Sequence, residues 1–157
     1  MLSGARLEVR DTGKRTRTSA RVEHAHDDEH ATVAWRRRWV AMDRPLLDFE
    51  RLDVYRCAIE FLALAVQITA HIPRGHANLR DQLRRASTSI PLNIAEASGK
   101  TGGADRARFH AIARGSALEC AAILDVLQLL HATTPDHTTQ GKLLLSRVVA
   151  MLSKMCR

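Results

Sequence analysis

The stretch Arg84–Glu96, RRASTSIPLNIAE, decides how this chain is read. Around it Leu79, Leu83, Ala86, Ile90, Ile94 and Ala97 recur at three- and four-residue spacing, one apolar stripe of a helix over Leu79–Ser98. Pro91 stands inside that stripe. Proline lacks an N–H and crowds the carbonyl four residues back, here that of Ser87, at about 3 kcal/mol in a straight helix. Hydroxyls at Ser87, Thr88 and Ser89 precede it and can engage freed backbone groups. The pattern predicts one kinked helix, not two separate ones.

Three more helical patterns surround this one. The first covers Asp53–His71 and stops before Pro73-Arg74-Gly75, with Val54, Ala58, Phe61, Leu62, Ala65, Val66 and Thr69 as its seam. Another covers Asp105–Leu130, with Asp105 as N-cap and Phe109, Ile112, Ala113, Ser116, Cys120, Ile123, Leu127 and Leu130 inward. The last opens on Thr134-Pro135-Asp136, which reads as N-cap, proline at the first helical position and an acid in the first turn. Its seam is Leu145, Val148, Leu152 and Met155. No alternating strand pattern occurs. Four amphipathic helices on short connections predict an all-α, antiparallel up-down four-helix bundle over 47–157.

Residues 1–46 differ in character. GKRTRTSARVEHAHDDEHATVAWRRRW mixes charges, holds few large aliphatics and keeps no period. Such a segment cannot bury enough apolar area to offset its ordering entropy, so a disordered basic extension is expected. The composition changes at Met42, which makes Met42 a candidate initiator, with Arg36-Arg37-Arg38 as a basic arm if the segment is translated.

The chain has 157 residues, enough for one domain with a core, and a formal balance of +7. A basic balance suits a polyanionic partner. Aromatics at 4 % are too few for a platform on which successive bases stack. Cys57, Cys120 and Cys156 lie far apart with no C-x-x-C pair, which argues against a zinc or disulfide frame and for reduced core thiols in a cytoplasmic protein. The N-terminus has no apolar signal region, and the longest apolar run, FLALAV, is far short of the ~20 residues a membrane span needs.

Two helices carry more apolar surface than one four-helix core uses. Cys57, Leu64 and Ile68 continue beside the first seam; Ala111, Gly115, Leu118, Ala122 and Leu129 lie opposite Phe109. A helix apolar on two sides is covered on two sides. The expected second cover is another copy of the chain, through Leu64, Ile68, Gly115, Leu118 and Ala122.

Familiar chemistries find no residues. A di-iron or di-manganese bundle wants Glu-x-x-His on two helices. Three residues after Glu96 comes Gly99, and three after Glu119 comes Ala122. HAHDDEH (His24–His30) reads as an exposed polar run. SGKT (Ser98–Thr101) lacks the glycine and the strand of a phosphate-binding loop, so Gly99 reads as a helix C-cap and Gly102-Gly103 as turn. Ser116 and His110, six apart on one helix, do not share a face. The expectation is no enzyme, no metal and no cofactor. Asn93, Glu96, Arg114, Ser116 and Glu119 are expected to form a structural polar cluster around the kink, with Glu96 partnered because an unpaired core carboxylate costs several kcal/mol.

The cations are more suggestive. Arg80, Arg84 and Arg85 neighbour one another, and Lys100, Arg106 and Arg108 gather around the turn into the third helix. Residues 47–157 carry 14 Lys/Arg against 10 Asp/Glu, a balance of +4. These six are the candidate contacts to RNA or DNA phosphates, without base reading.

The middle of the chain also carries a recognisable order of motifs. Gln82-Leu83-Arg84-Arg85-Ala86, Ser89-Ile90-Pro91-Leu92-Asn93-Ile94-Ala95-Glu96 and Ala113-Arg114-Gly115-Ser116 with Glu119 resemble the bacterial four-helix-bundle family of proteins encoded in intervening sequences of 23S ribosomal RNA genes. The resemblance covers Leu47–Arg157. It departs at Ala97, where the family usually has glycine. It implies an up-down bundle, often assembled as a ring-like homopentamer, with no agreed enzymatic activity. The chain also looks like the accessory variability determinant of diversity-generating retroelements, a relative that binds nucleic acid and a reverse transcriptase. The expected function is a non-enzymatic, oligomeric scaffold for RNA or DNA with such a protein partner; the alternative is a protein–protein adaptor with no nucleic-acid role.

Overall fold

A computed structural model describes residues 46–156. Four helices follow a short 3-10 turn at Asp48–Arg51: α1, Asp53–His71; α2, Ala77–Ser98; α3, Gly103–Leu129; and α4, Pro135–Met155. A second 3-10 turn, Arg74–His76, links α1 to α2. Each helix packs on its two neighbours, α1 on α2, α2 on α3, α3 on α4 and α4 on α1, while α1 and α3 face each other diagonally. This is the expected antiparallel bundle. The expected extension at 1–46 and the Met42 start lie outside the described residues, apart from Leu46.

α2 runs through Pro91 as a single helix. Ser87 Oγ and Thr88 Oγ1 both donate to the Arg84 carbonyl, at 3.1 and 2.8 Å. Asn93 Nδ2 donates to the Ser89 carbonyl at 2.8 Å. Side-chain donors from both sides of the proline, Ser87 and Thr88 before it and Asn93 after it, therefore reach carbonyls of the turns that precede it. Pro91 itself is buried.

The core is built around Phe61, Leu64, Ile68, Leu83, Ile90, Ile94, Leu124, Leu127, Leu145 and Leu152, all fully buried. Two seams are rotated from the expected ones. On α1 the buried stripe is Val54, Cys57, Ala58, Phe61, Leu64, Ala65 and Ile68, while Val66 is 58 % exposed. Leu64 and Ile68, expected at an oligomer interface, are instead core of the single chain. Positions 57, 64 and 68 and positions 62, 66 and 69 flank the 58–61–65 line on opposite sides; α4 lies against the first flank, where Cys57 Sγ donates to the Leu144 carbonyl and Gly141 sits beside Leu64. On α3 the stripe is His110, Ala113, Ala117, Cys120, Ile123, Leu124 and Leu127, whereas Ile112 and Leu130 are exposed. The close packing of α4 turns the buried sector toward 110, 117 and 124.

Gly141 shows how close that packing is. A Cβ there would lie 2.7 Å from Leu124 Cδ1 and 3.6 Å from Phe61 Cε2. The helix ends follow from local chemistry. Thr134 caps α4, accepting from the His137 N–H at 3.2 Å, with Pro135 at the first position. α3 begins at Gly103 with Gly102 as its N-cap, and Asp105 lies in the first turn instead of capping it. There its charge still meets the positive helix end. α3 ends with Ala132 N–H on the Leu127 carbonyl and His131 N–H on that of Gln128, the paired bonds of a Schellman stop. His131 takes the left-handed position at φ 52°.

Candidate nucleic-acid interface

The six candidate cations occupy two places. Arg80, Arg84 and Arg85 stand in the first half of α2; Lys100, Arg106 and Arg108 surround the α2–α3 turn. From Arg85 to Lys100 the axis advances 1.5 Å per residue, so the groups are about 22 Å apart. In the first group Arg80 leans on Asp81 at 3.7 Å, while Arg84 and Arg85 are exposed. In the second group the Lys100 ammonium pairs with the Glu96 carboxylate one turn back and lies 4.9 Å from the Phe109 ring centre. Arg106 Nη2 donates to the Lys100 carbonyl at 3.3 Å, which ties the turn to the start of α3. Among the described residues Arg84, Arg85 and Arg108 take part in no ion pair. All three are exposed, Arg84 and Arg85 on α2 and Arg108 on α3.

The expected polar cluster is only partly assembled. Ser116 Oγ donates to Ser89 Oγ at 2.9 Å, and Asn93 Nδ2 donates to the same oxygen at 3.0 Å. These three half-buried groups form a seam between α2 and α3. Ser89 is its hub, a role readable in the i,i+4 spacing of Ser89 and Asn93. Glu96 is not in the seam. It is half-exposed and held by Lys100. Arg114 points to the other flank of α3, donating from Nε to Ser153 Oγ at 2.9 Å, and Glu119 faces solvent. The helical turn explains this split: Arg114 precedes Ser116 by two residues, more than half a turn around α3.

Two buried ionisable groups, His110 and Glu50, are not expected from the sequence. His110 is 3 % exposed, its Nδ1 3.2 Å from the Met155 carbonyl at the end of α4. Glu50 is 4 % exposed; its carboxylate accepts from the Leu47 N–H at 2.8 Å, and its own carbonyl accepts from Arg56 Nε. A polar histidine between Phe109 and Ala111 and a glutamate before the first apolar stripe add nothing to an apolar period. Cys57 and Cys120 are buried free thiols, as expected, but Cys156 at the end of α4 is half-exposed. Burial, helped by the Glu119 charge, pushes the Cys120 thiol up to about 12. Among the described residues no group of three or more His, Cys, Asp or Glu could hold a metal, and no helix is long and apolar enough to cross a membrane. The HAHDDEH run lies outside the described residues.

Bundle and site together define an all-α protein whose six candidate cations lie toward the two ends of α2. The model of the 23S rRNA-intervening sequence protein family matches residues 50–154, and the chain belongs to that family. Among solved structures it is similar to a protein of unknown function from the S23 ribosomal protein family of Bacteroides thetaiotaomicron. The two share 21 % identity with a TM-score of 0.61, over 66 % of this chain and 98 % of that one. At that identity the likeness shows the fold alone. A search of the curated proteins finds no match.

Proposed function

We propose that the chain is a non-enzymatic, cytoplasmic, self-associating scaffold that binds RNA or DNA through the phosphate backbone and assists a nucleic-acid-processing protein. The observation that carries this reading is the pair of basic groups, with Arg84, Arg85 and Arg108 outside any ion pair among the described residues. Cations on rigid helices attract phosphates without distinguishing bases, because no side chain is committed to a groove. Self-association multiplies the field: the +4 of residues 47–157 would become roughly +20 in a five-copy ring such as the resemblance implies. The family's tie to 23S rRNA genes favours RNA as the polyanion. The protein–protein adaptor is the second reading, favoured by apolar side chains left outside the core on α3.

The test is binding to unrelated RNA and DNA oligonucleotides across a salt series. Comparable affinities that fall steeply with salt are expected. The combined reversal of Arg80, Arg84 and Arg85 to Glu should abolish binding with helicity retained. Binding that ignores salt, or no binding at all, leaves the adaptor.

A further inference from the structure

Among the described residues, apolar surface is left outside the core on α1 as well as on α3. On α3, Gly115, Leu118 and Ala122 are exposed, as self-association through that face needs. The surface on α1 points elsewhere, because α1 and α3 stand on a diagonal of the bundle. Tyr55, Ile59, Leu62 and Val66 follow one another at steps of four, three and four. They make one line of about 16 Å up the helix. Ile59 and Leu62 are half-buried and Val66 is 58 % exposed, with Ala63 and Ala70 beside its upper end. The lowest member is already covered. Phe49, in the turn that leads into α1, sets its ring edge-on against Tyr55, with ring centres 4.9 Å apart. That turn packs on both α1 and α2. Within it the Glu50 carboxylate accepts from the Leu47 N–H and fixes the entering backbone. The chain therefore enters the fold where the uncovered line begins.

The residues before Leu46 lie outside the described part, but their composition and length are known. Between Arg10 and Thr32 the one large apolar residue is Val22, whereas Val33–Met42 holds Val33, Trp35, Trp39, Val40 and Met42. Residues 1–46 have too little apolar area to fold alone. The end of the segment needs no core of its own where α1 supplies the other half. The reach fits as well. Trp39 stands ten residues and Trp35 fourteen residues before Phe49. Coiled as a helix these stretches would span about 15 and 21 Å, and extended they would span more. Val66 lies about 16 Å beyond Tyr55. We infer that Val33–Met42 docks on its own bundle, continuing the Phe49–Tyr55 contact up α1 and seating Trp35 and Trp39 over Ile59, Leu62 and Val66. An aromatic side chain of this size buries about 150–250 Å², enough for two rings to cover the line. Arg36-Arg37-Arg38, between the two tryptophans, is then held against the bundle. The docking stands on packing alone and does not depend on the nucleic-acid reading.

Trp35 and Trp39 are the only tryptophans of the chain, so tryptophan emission of the full chain reads the docking without a label. Relative to a free peptide of residues 30–45, the emission should be blue-shifted and acrylamide quenching severalfold weaker. Both should persist on dilution. Val66→Asp should return both to the values of the peptide with helicity unchanged, since Val66 is exposed and outside the core. Leu118→Asp, on the far side of the bundle, should leave both as in the parent. Peptide-like emission in the parent, or no response to Val66→Asp, would overturn the docking. Burial that is lost on dilution, or lost in Leu118→Asp, would overturn it too and give the α1 face to a second copy.

Discussion

Single residues follow burial more than residue type. Cys120 is the clearest case. Its thiol, ordinarily at 9.0, is raised to about 12, mainly by burial, so the folded state holds its proton more tightly than the unfolded state. Its contribution is intact below about pH 9 and is lost as pH rises toward about 12, by up to about 1.4 kcal/mol per pH unit. Stability measured from pH 8 to 10.5 should therefore fall more steeply in the parent than in Cys120→Ala; equal slopes would remove burial as the cause. Glu96→Ala should change stability by less than about 1 kcal/mol, because its carboxylate is half-exposed and paired only with Lys100. A large loss of melting temperature would return Glu96 to the polar core. Gly141→Ala should lower the melting temperature. Overpacking against the fully buried Leu124 costs about 1–3 kcal/mol, more than the roughly 1 kcal/mol of helix propensity gained. At this scale the sequence was only half legible. Leu64 and Ile68 look like surplus apolar surface, and only their burial in the assembled bundle shows that they are core.

The helices as elements were far more legible, because caps and periods are local. Asp53–His71 shows the predicted bounds, and α4 begins at the predicted Thr134 cap. The expected cap of α3 is Asp105, because aspartate is a common cap; Gly102 takes that place instead, directly after Gly99-Lys100-Thr101. Replacing Thr134 with alanine should cost about 1 kcal/mol, since the His137 N–H loses its acceptor. His131→Gly should act in the other direction. A non-glycine residue at φ 52° is strained, and glycine there should raise stability by up to about 1 kcal/mol. Thermal or urea unfolding of the two variants checks both signs. The α2–α3 seam was legible in part for the same reason: Ser89 and Asn93 share a face by spacing alone, but their meeting with Ser116 depends on how α3 is set against α2.

At the scale of the molecule the bundle fixes two cationic groups about 22 Å apart at opposite ends of α2, and the account holds that one polyanion engages both. The sequence shows both groups as clusters, but their separation is a property of the folded helix. The slope of log affinity against log salt on a single-stranded RNA of about 20 nucleotides tests this most directly, because each phosphate contact contributes about 0.7 to it. Neutralising Arg84 and Arg85 to Gln should lower the slope by about 1.4, and neutralising Arg108 by about 0.7 more. The oligonucleotide is the same for every variant, and helicity should not change. An unchanged slope in both variants, or a parent slope near zero, would contradict the claim that these arginines hold the phosphate backbone.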